Sequence, residues 1–570
     1  MRIRPAQIRF DDHGNAHCDA HDDIYFNPGR ALAKARELFH AATDLPRRLA
    51  DAANTPTAHI VVGELGFGLG LNFLATWRAA ADAGVHLHYL AIEGAPPSDG
   101  DLARAHAGAG LDPADTQRAA ALHTAWPGPI AGVHRVCLPG ATLSLHQGDV
   151  HDALATLAPT TQAHAWFLDG FDPAKNPAMW SPAVLTAVFA HTTSGGVAGT
   201  FSSAGTVRRA LASVGFTVDK LPGGSLKRHI TRAQRTEQNN TAPVAAGHAC
   251  VLGAGWAGLH AADSLAHRGW QVTVCERDRP GAGASGNPVA IVSPVPERAP
   301  SPRHDWYRSA LTLALQQPDF QAIGAHRAPT DHKPEAWLRR AADNFGALDG
   351  RVAWQHDPPG LWCRCAGLRR FDVFAQYVLD HPRVTLVTAS TPVPADLTVL
   401  ATAAAVRDHP ACAHWALEAV RGQLSLVAST AESQDLTHAI NGPGYLTPAH
   451  HGRHAVGATH DRNDPDPAVR DADHQRNHDG AHRSSPRWTR AMDWTHPTGR
   501  TSWRCNARDR MPAVGPVPGH PQLYALTALT SHGALSAPLA AELLADHLHG
   551  TPLPCSVQAA TSVTPARFAS

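Results

Sequence analysis

The sequence has little of what several classes of protein require. Lys+Arg and Asp+Glu number 49 each in 570 residues, so net charge gives no argument for a nucleic-acid partner, and any such argument must be local. The nine cysteines show no repeated CxxC spacing, and the one CxC, Cys363 to Cys365, is too short and isolated for a four-ligand zinc site. No run approaches the roughly 18 apolar residues of a membrane helix, and Met1 to Ala6 lacks the apolar segment of a signal peptide. We therefore expect a cytoplasmic protein with free thiols, no metal and no membrane contact.

The length indicates more than one domain, because 570 residues exceed what a single hydrophobic core usually organises. Short apolar runs alternate with helical stretches, which favours α/β domains with helix-covered parallel sheets. The polar stretch 233–247 predicts a linker, and residues 460–487, rich in Asp, His, Arg and Pro, predict a long surface loop or disorder. The predicted strands are 59–63, 86–92, 164–168, 249–252, 271–275, 384–388 and 397–402, and the predicted helices are 69–81 and 257–268.

The first glycine-rich turn follows a buried strand and indicates S-adenosylmethionine. Glycines at this spacing let the backbone pass close under an adenosyl group, where side chains would collide. Carboxylates at the ends of this strand and the next two would hold the cofactor: the first supplies charge, the second accepts both ribose hydroxyls and the third receives the adenine amine. A tight turn without a cofactor is the alternative. The candidate residues are Glu64, Gly66, Gly68, Gly70, Glu93 and Asp149.

Asp169 follows the strand at 164–168, at the carboxyl edge where α/β sheets place their chemistry. Methyl transfer to an amine needs a carboxylate that orients the nitrogen and takes its proton, and Asp169 is the candidate. Phe171 and Trp180 are candidate walls for a stacked base, although each has a core position as its alternative. An Asp-Gly pair before proline is also an ordinary turn.

Basic residues dominate the segment 205–235, where Asp219 is the one acidic residue. Such a patch can follow RNA phosphates and make binding depend on salt. A solvated helix face with a basic tail is the alternative. Within this segment the predicted RNA-binding residues are Arg208, Arg209, Lys227 and Arg228.

The second glycine-rich turn matches a dinucleotide fingerprint in its expected context, between a strand and a helix. Its glycines would place a pyrophosphate on the helix N-terminus, and the acidic residue that ends the next strand would bind the ribose. A small-residue segment soon afterwards, and a C-terminal helix that begins near the isoalloxazine ring, favour FAD over NAD. The candidate residues are Gly253, Gly255, Gly258, Glu276, Ser285, Asn287 and Gly533.

Longer words of sequence resemble the family of bifunctional tRNA 5-methylaminomethyl-2-thiouridine biosynthesis proteins over nearly the whole chain. In the first half they include Gly66-Phe-Gly-Leu-Gly-Leu-Asn-Phe73, Trp166-Phe-Leu-Asp-Gly-Phe171 and Ser203-Ala-Gly-Thr-Val-Arg-Arg209. In the second half, which is also similar to glycine and D-amino-acid oxidases, they include Ala284-Ser-Gly-Asn287, Gly444-Tyr-Leu-Thr-Pro448 and Arg508-Asp-Arg-Met-Pro512.

The resemblance implies two activities on tRNA. A Rossmann-like S-adenosylmethionine methyltransferase domain, 1–232, is followed by a glycine-oxidase-like FAD domain, 248–570, with an inserted α+β substrate subdomain at about 305–490. The FAD domain removes the carboxymethyl group from 5-carboxymethylaminomethyl(-2-thio)uridine at the wobble position, and the other domain methylates the released amine. By similarity to the oxidases, Arg504 binds the substrate carboxylate and Tyr445 adds a hydroxyl. An ion pair between Arg504 and a surface acid is the alternative. No obligate protein partner is expected.

The second half departs from the family pattern in three places. Only eight residues, Ala389 to Asp396, separate two strands between which related flavoproteins insert a β-meander. Related flavoproteins commonly have glycine where this chain has Ala401 and Ala403, and they have glycine where Thr530 precedes Ser531. Two alternatives therefore stand: an active methyltransferase with a non-catalytic, tRNA-binding FAD-like module, or a free amino-acid oxidase fused to a methyltransferase.

Overall fold

The structure is a computed structural model that describes the chain except residues 1–2, 27, 29–30, 56–57, 238–245, 298, 345–350 and 570. The chain forms two compact units. The first comprises Met1–Ala245 with Leu548–Val557, and the second comprises Ala246–His547 with Gln558–Ser570. Most of the predicted linker, residues 238–245, lies outside the described residues. No helix in the described part of the chain is both long and apolar enough to cross a membrane.

The first unit is an α/β sandwich around one large sheet. Its strands are β1 (Ile8–Phe10), β2 (Ala16–Cys18), β3 (Asp23–Phe26), β4 (His59–Leu65), β5 (His86–Glu93), β6 (Gly132–Leu138), β7 (Ala141–Gln147), β8 (Ala163–Leu168), β9 (Thr192–Thr200), β10 (Thr217–Gly223) and β11 (Lys227–Gln234). Its helices are α1 (Ala31–Lys34), α2 (Ala41–Thr43), α3 (Leu45–Ala53), α4 (Leu71–Asp82), α5 (Asp99–Gly108), α6 (Pro113–Ala125), α7 (Val150–Ala155), α8 (Pro182–Ala190) and α9 (Gly205–Ser213).

The large sheet has the strand order β10-β11-β9-β8-β4-β5-β7-β6. The strands from β9 through β7 pair in parallel, and antiparallel pairs close both edges. Helices cover both faces of the sheet, so its inner strands are buried over most of their length; Trp166 and Phe167, adjacent on β8, are both fully buried on opposite sides. The predicted strands at 59–63, 86–92 and 164–168 and the helix at 69–81 are confirmed within one or two residues.

The second unit combines a nucleotide-binding sheet with a second, mixed sheet. Its strands are β12 (His248–Leu252), β13 (Gln271–Glu276), β14 (Ala290–Val292), β15 (Phe320–Ala322), β16 (Ala325–Arg327), β17 (Val352–His356), β18 (Pro359–Cys363), β19 (Gly367–Arg369), β20 (Val384–Thr388), β21 (Leu397–Leu400), β22 (Leu417–Ala428), β23 (Ala439–Asn441), β24 (Tyr445–Leu446), β25 (Arg453–Gly457), β26 (Asp461–Arg462), β27 (Asp493–Ala507), β28 (Ala513–Val517) and β29 (His520–Thr527). The helices from residue 246 onward are α10 (Trp256–His267), α11 (Pro302–Ala314), α12 (Glu335–Asn344), α13 (Phe371–Leu379), α14 (Asp471–Ser484), α15 (Pro486–Ala491), α16 (Gly533–His549) and α17 (Val557–Ser562).

The nucleotide-binding sheet has the order β20-β13-β12-β21-β29-β28, parallel except for the last pair. The mixed sheet has the order β17-β18-β16-β23-β24-β25-β22-β26, and β27 pairs with β22. Strands of the mixed sheet lie between β13 and β28 in the chain, so the sheet is an insertion into the nucleotide-binding fold. The α/β class with an inserted α+β part is confirmed, and only the short link at 389–396 joins β20 to β21.

The prediction of a loop or disorder at 460–487 is wrong, because this segment forms β26, α14 and the start of α15. The buried positions of α14 recur at helical spacing but include Asp473, His474 and Asn477. Asp473 pairs at 2.6 Å with Arg421, whose side chain is fully buried. A helix with a polar buried face carries no hydrophobic periodicity, so the pattern expected of a helix is missing from the sequence.

Candidate active sites

The glycine-rich turn of the first unit joins β4 to α4 with three left-handed residues. Gly66, Gly68 and Gly70 have φ values of +90°, +53° and +71°, a region that side chains strain. A Cβ on Gly66 would lie 2.9 Å from the carbonyl oxygen of Asp169, and one on Gly68 would lie 3.2 Å from the Tyr25 ring. The turn is therefore a bare-backbone cradle at the carboxyl edge of the sheet, and it fits an adenosyl cofactor.

Two carboxylates share one amide at this edge. The Asn72 side-chain NH2 donates to Glu64 Oε1 at 2.7 Å and to Asp169 Oδ2 at 2.8 Å. Burial raises the pKa of Glu64 well above its usual value, and the nearby Asp169 raises it further. Burial also raises the pKa of Asp169, although Lys34, whose Nζ lies 3.6 Å from Asp169 Oδ1, opposes this rise. Asp169 is thus a 17% exposed carboxylate with a proton affinity above normal, as a proton acceptor requires.

Glu93 and Asp149, the remaining predicted cofactor-binding carboxylates of this unit, accept hydrogen bonds from backbone N–H groups. Glu93, at the end of β5, accepts hydrogen bonds from the backbone N–H of Gly68 at 2.7 Å and of Ala95 at 2.8 Å. Burial raises the pKa of Glu93. Asp149 is exposed and caps α7, since its carboxylate accepts from the N–H of His151 at 2.9 Å. Both lie after neighbouring parallel strands, so they share the sheet edge that carries the turn.

The two aromatic residues predicted as walls for a stacked base follow Asp169 in the chain. Phe171 is half-buried, with its ring 4.8 Å from that of His21 and 5.3 Å from that of Tyr25. Trp180 belongs to the hydrophobic core, and its indole N–H donates to the Phe171 carbonyl at 3.4 Å. Of the two predicted walls, Phe171 is the one open to the site.

A second half-buried ring, Phe201, follows β9 directly. The ammonium groups of Lys34 and Lys227 each lie 5.7 Å from its centroid, within cation–π range. Sequence reasoning missed Phe201 and Lys34, because both reach the site from segments without a motif. Asn72 was also missed, although it lies in the glycine-rich segment from Gly66 to Phe73 that resembles the family.

The predicted RNA-binding residues lie on α9 and at the start of β11, beside the strand that borders β8. Other basic residues of the segment have structural roles: Arg232 and Arg235 donate to main-chain carbonyl oxygens of the unit. The surface therefore has four exposed basic side chains, Arg209, Lys220, Lys227 and Arg228, and the half-buried Arg208.

In the second unit, the glycines of the GxGxxG turn between β12 and α10 lie so close to neighbouring atoms that a side chain would not fit. A Cβ on Gly253, where φ is +108°, would lie 2.7 Å from the carbonyl oxygen of Ala401, and one on Gly258 would overlap the carbonyl oxygen of Gly253. Gly255 faces Ser285, whose Oγ accepts from the N–H of the first residue of α10 at 2.9 Å. These approaches fit the close passage of a pyrophosphate to a helix N-terminus.

The other predicted residues of this turn region fix its neighbours. Glu276, at the end of β13, accepts from the N–H of Ala254 at 2.8 Å. Asn287 accepts from Arg500 Nη1 at 2.8 Å, and Arg500 also donates to the carbonyl oxygen of Gly283. The small-residue segment is therefore tied to β27.

One cavity of about 1120 Å³ connects these residues, which is ample for an extended dinucleotide. Gly258 is not part of its lining, because it serves the packing of α10 on β12. The predicted residues that line the cavity are Gly253, Gly255, Glu276, Ser285, Asn287, Tyr445, Arg504 and Gly533.

Arg504 lies on β27 and donates from Nη1 to the carbonyl oxygen of Thr459 at 3.0 Å. Burial lowers its pKa, while Tyr445 and Asp461 raise it. Tyr445 is half-buried on β24, and burial raises its pKa. The arrangement leaves guanidinium N–H groups of Arg504 for a ligand. Arg327, on β16, also lines the cavity, and no sequence motif indicates it.

Two of the three positions at which glycine is replaced adopt the left-handed conformation. Ala403 has φ +53° and Thr530 has φ +54°, and both line the cavity. The backbone holds them there: the carbonyl oxygen of Ala403 accepts from Thr527 Oγ1 at 2.9 Å, and the N–H of Thr530 donates to the carbonyl oxygen of Cys505 at 3.1 Å. Both residues thus retain the backbone conformation that favours glycine, at a cost of about 1–2 kcal/mol per residue.

Known proteins match both units. A family described as S-adenosyl-L-methionine-dependent methyltransferase matches residues 113–236, and a family described as FAD dependent oxidoreductase matches 248–355 and 373–547. The tRNA 5-methylaminomethyl-2-thiouridine biosynthesis bifunctional protein MnmC of Aromatoleum aromaticum is 33% identical over 640 aligned positions, which cover 100% of this chain and 98% of that protein. The MnmC protein of Chromobacterium violaceum is 32% identical, with 96% and 94% covered. The chain belongs to the MnmC family.

As an MnmC-family member, the chain is a bifunctional enzyme of wobble-uridine modification, with S-adenosylmethionine-dependent methyltransferase and FAD-dependent oxidoreductase activities. The cofactor predictions, S-adenosylmethionine and FAD, are confirmed. The alignment of 640 positions exceeds the 570 residues of this chain, so the MnmC relative carries insertions that this chain lacks. Among solved structures, glycine oxidase of Bacillus cereus is 17% identical with a TM-score of 0.46, over 53% of this chain and 97% of that one.

Proposed function

We propose that the two units act in sequence on the wobble uridine, position 34, of tRNA. The second unit removes the carboxymethyl group from 5-carboxymethylaminomethyl(-2-thio)uridine, and the first methylates the resulting amine to 5-methylaminomethyl(-2-thio)uridine. We assign the methyltransferase to residues 1–232 and the oxidoreductase to 248–570, with a substrate part at about 305–490. The observation that carries the proposal is the Asp169 carboxylate beside the cofactor turn, which accepts from Asn72 at 2.8 Å and has Lys34 Nζ at 3.6 Å.

In the methylation step, Asp169 orients the substrate amine and accepts its proton. S-adenosylmethionine, when bound, supplies the electrophilic methyl group. Lys34 favours the ionised form of Asp169, and Asn72 fixes the carboxylate by donating to Oδ2. Phe171 and Phe201 present aromatic faces on which the uracil stacks. The residues that would hold the cofactor are Glu64, Gly66, Gly68, Gly70, Glu93 and Asp149.

In the demodification step, Arg504 and Tyr445 bind the substrate carboxylate and orient the N–CH2 bond. FAD, when bound, supplies the two-electron oxidant that takes a hydride from the CH2 carbon, while the substrate nitrogen loses its proton to solvent and an imine is left. Water then hydrolyses this imine and releases the primary amine and glyoxylate. The helix α16 starts at Gly533 on the cavity wall, where its N-terminus favours negative charge. The residues that would hold FAD are Gly253, Gly255, Gly258, Glu276, Ser285, Asn287 and Gly533.

The tRNA backbone would follow the basic surface of the first unit. Lys227 belongs to that surface and also lies beside Phe201, so it connects the phosphate-binding surface to the stacking ring. The RNA-binding residues are Arg208, Arg209, Lys227 and Arg228. The proposal places the protein in the cytoplasm, with tRNA as its partner and no obligate protein partner.

The test incubates the purified protein with tRNA that bears the carboxymethylaminomethyl group and analyses the nucleosides by mass spectrometry. Without S-adenosylmethionine we expect the aminomethyl nucleoside, and with it the methylaminomethyl nucleoside. Retention of every carboxymethyl group would refute the oxidoreductase step and favour a non-catalytic second unit. A colourless fresh preparation would point the same way, since bound FAD is yellow. Turnover of free glycine without RNA would instead support an amino-acid oxidase.

A further inference from the structure

A buried arginine without an acidic partner lines the cavity of the second unit. Arg327 donates from Nη2 to Ser293 Oγ at 3.0 Å and to the carbonyl oxygen of Pro294 at 3.4 Å, and both acceptors are neutral. Its Nε is buried and has no hydrogen-bond partner in the described part of the chain. Within the same described residues, no carboxylate lies at ion-pair distance from Arg327. A desolvated guanidinium of this kind is costly unless an anion completes it.

The surroundings of Arg327 add positive charge. Lys333 and Arg303 both lie within electrostatic range of the same site, and burial and Arg327 lower the pKa of Lys333. Glu297 pairs with Arg303 at 3.0 Å and offsets one of the three cations. His532 lines the cavity and stays neutral at pH 7, because burial and the three cations lower its pKa to about 3. The corner therefore keeps an excess of positive charge.

Arg504, the residue proposed to bind the substrate carboxylate, has different charged neighbours from those of Arg327. Asp461 and Tyr445 are within its electrostatic range, and Asp461 offsets part of its charge. The charged groups that act on Lys333 beside Arg327 are mainly other cations. Compared with Arg504, Arg327 thus offers the stronger attraction to an anion.

We propose that Arg327 anchors an anion subsite that binds the carboxylate of the carboxymethylamino substrate, with Lys333 and Arg303 strengthening its field. The inference rests on the proposed function and adds a binding residue to it. A phosphodiester of the RNA presents the same chemistry to a guanidinium. The experiment must therefore separate the two sources.

The kinetic experiment compares Arg327→Met and Arg327→Lys with Arg339→Met in the flavin-loaded, full-length protein. Arg339 is an exposed control, paired with Glu335 on α12. The substrates are carboxymethylaminomethyl-tRNA and the free nucleoside 5-carboxymethylaminomethyluridine, which has no phosphate. We expect Arg327→Met to raise KM for both by about 10-fold to 100-fold, with a smaller change in kcat and partial rescue by Arg327→Lys.

The pattern across substrates decides the source of the anion. A rise in KM for both substrates assigns the carboxylate, and a rise for tRNA alone assigns the phosphodiester to the same subsite. KM values equal to those of Arg339→Met with both substrates would overturn the subsite. Flavin content and circular dichroism of each variant, matched to the unmodified protein, verify folding.

A binding measurement separates this inference from the proposed function. Acetate and inorganic phosphate are titrated into the holoprotein while the visible flavin spectrum is recorded. We expect saturable perturbation by acetate, weakened at least tenfold in Arg327→Met. If the unmodified protein leaves tRNA unchanged but acetate binding depends on Arg327, the proposed function fails and the subsite stands. Equal acetate titrations of Arg327→Met and the unmodified protein would refute the subsite.

Discussion

The two sites differ in the sign of the charge around the position proposed for the substrate. In the first unit, Glu64 and Asp169 share one amide, and Lys34 is the nearby cation. In the second unit, Arg327 and Arg504 line the cavity wall. The proposed substrate changes its charge in the same order: it enters the oxidoreductase with a carboxylate and reaches the methyltransferase as an amine. Each site is thus complementary to the substrate form that it receives, which lets the two reactions discriminate between forms of one nucleoside.

The largest effect is expected from Asp169→Asn, which should remove the negative charge of Asp169 from the first site and leave the second site unchanged. The amide keeps the shape of the carboxylate but cannot accept the proton of the amine. We expect methylation to fall by about 10²-fold to 10⁴-fold, whereas demodification is unchanged. Both are measured by nucleoside mass spectrometry on the same tRNA. Asp172→Asn, in an exposed turn, is the control and should methylate normally. If both reactions failed together in Asp169→Asn, the sites would not be independent.

The converse change removes positive charge from the second cavity. Arg504→Met should raise KM for demodification by about 10-fold to 100-fold and leave methylation of aminomethyl-tRNA unaffected. A double variant with Arg327→Met sharpens the test, because two groups that bind one carboxylate do not act additively. Additive losses of transition-state free energy would assign the two arginines to different anions. Steady-state kinetics on the free nucleoside measures both quantities.

Lys34, whose ammonium lies 3.6 Å from the Asp169 carboxylate, gives a pH-dependent prediction. Burial raises the pKa of Asp169 and Lys34 opposes that rise, so Lys34→Met should raise this pKa further. A higher pKa leaves more of the carboxylate protonated as pH falls, so the acidic limb of the methylation pH profile should move to higher pH. Lys34→Arg should restore the profile, and the demodification profile should not move. An unchanged acidic limb in Lys34→Met would show that Lys34 does not act through Asp169.

The same two sites show what the sequence allows to be predicted. Strands, glycine turns and the acidic residues that end strands are local patterns, so the parallel core of each unit and Asp169 follow from the sequence. Lys34, Phe201 and Arg327 were missed, because tertiary packing brings them to their sites from segments without a motif. The helix α14 was missed because its buried face is polar, and Asp473 pairs there with a buried arginine. Hydrophobic periodicity cannot predict a helix whose buried face consists of polar residues held by ion pairs.

Removal of charge from the RNA surface should have a smaller effect than changes within either site. Arg208→Ala with Arg209→Ala should weaken tRNA binding and reduce the slope of log affinity against log salt by about 1–2. Because the free nucleoside has no phosphates for this surface to bind, its binding should not change. Arg104→Ala, at an exposed position on α5, is the control. Equal affinities across a salt series would assign the surface to solvent alone. Filter binding at several salt concentrations makes the measurement.

The smallest expected effect concerns the loop that retains a left-handed conformation without glycine. Ala403→Gly should relieve backbone strain at φ +53° and stabilise the second unit by up to about 1 kcal/mol, since the gain from relief exceeds the entropy lost with glycine. Ala405→Gly, two residues later in an exposed 3-10 turn, is the matched control and should destabilise by about 0.5–1 kcal/mol. Chemical denaturation followed by flavin fluorescence measures both. Opposite signs support strain at the cavity wall, and equal destabilisation would mean that the loop tolerates alanine without cost. Because the first unit lacks such non-glycine residues in its cofactor turn, this strain distinguishes the flavin site from the methyltransferase site.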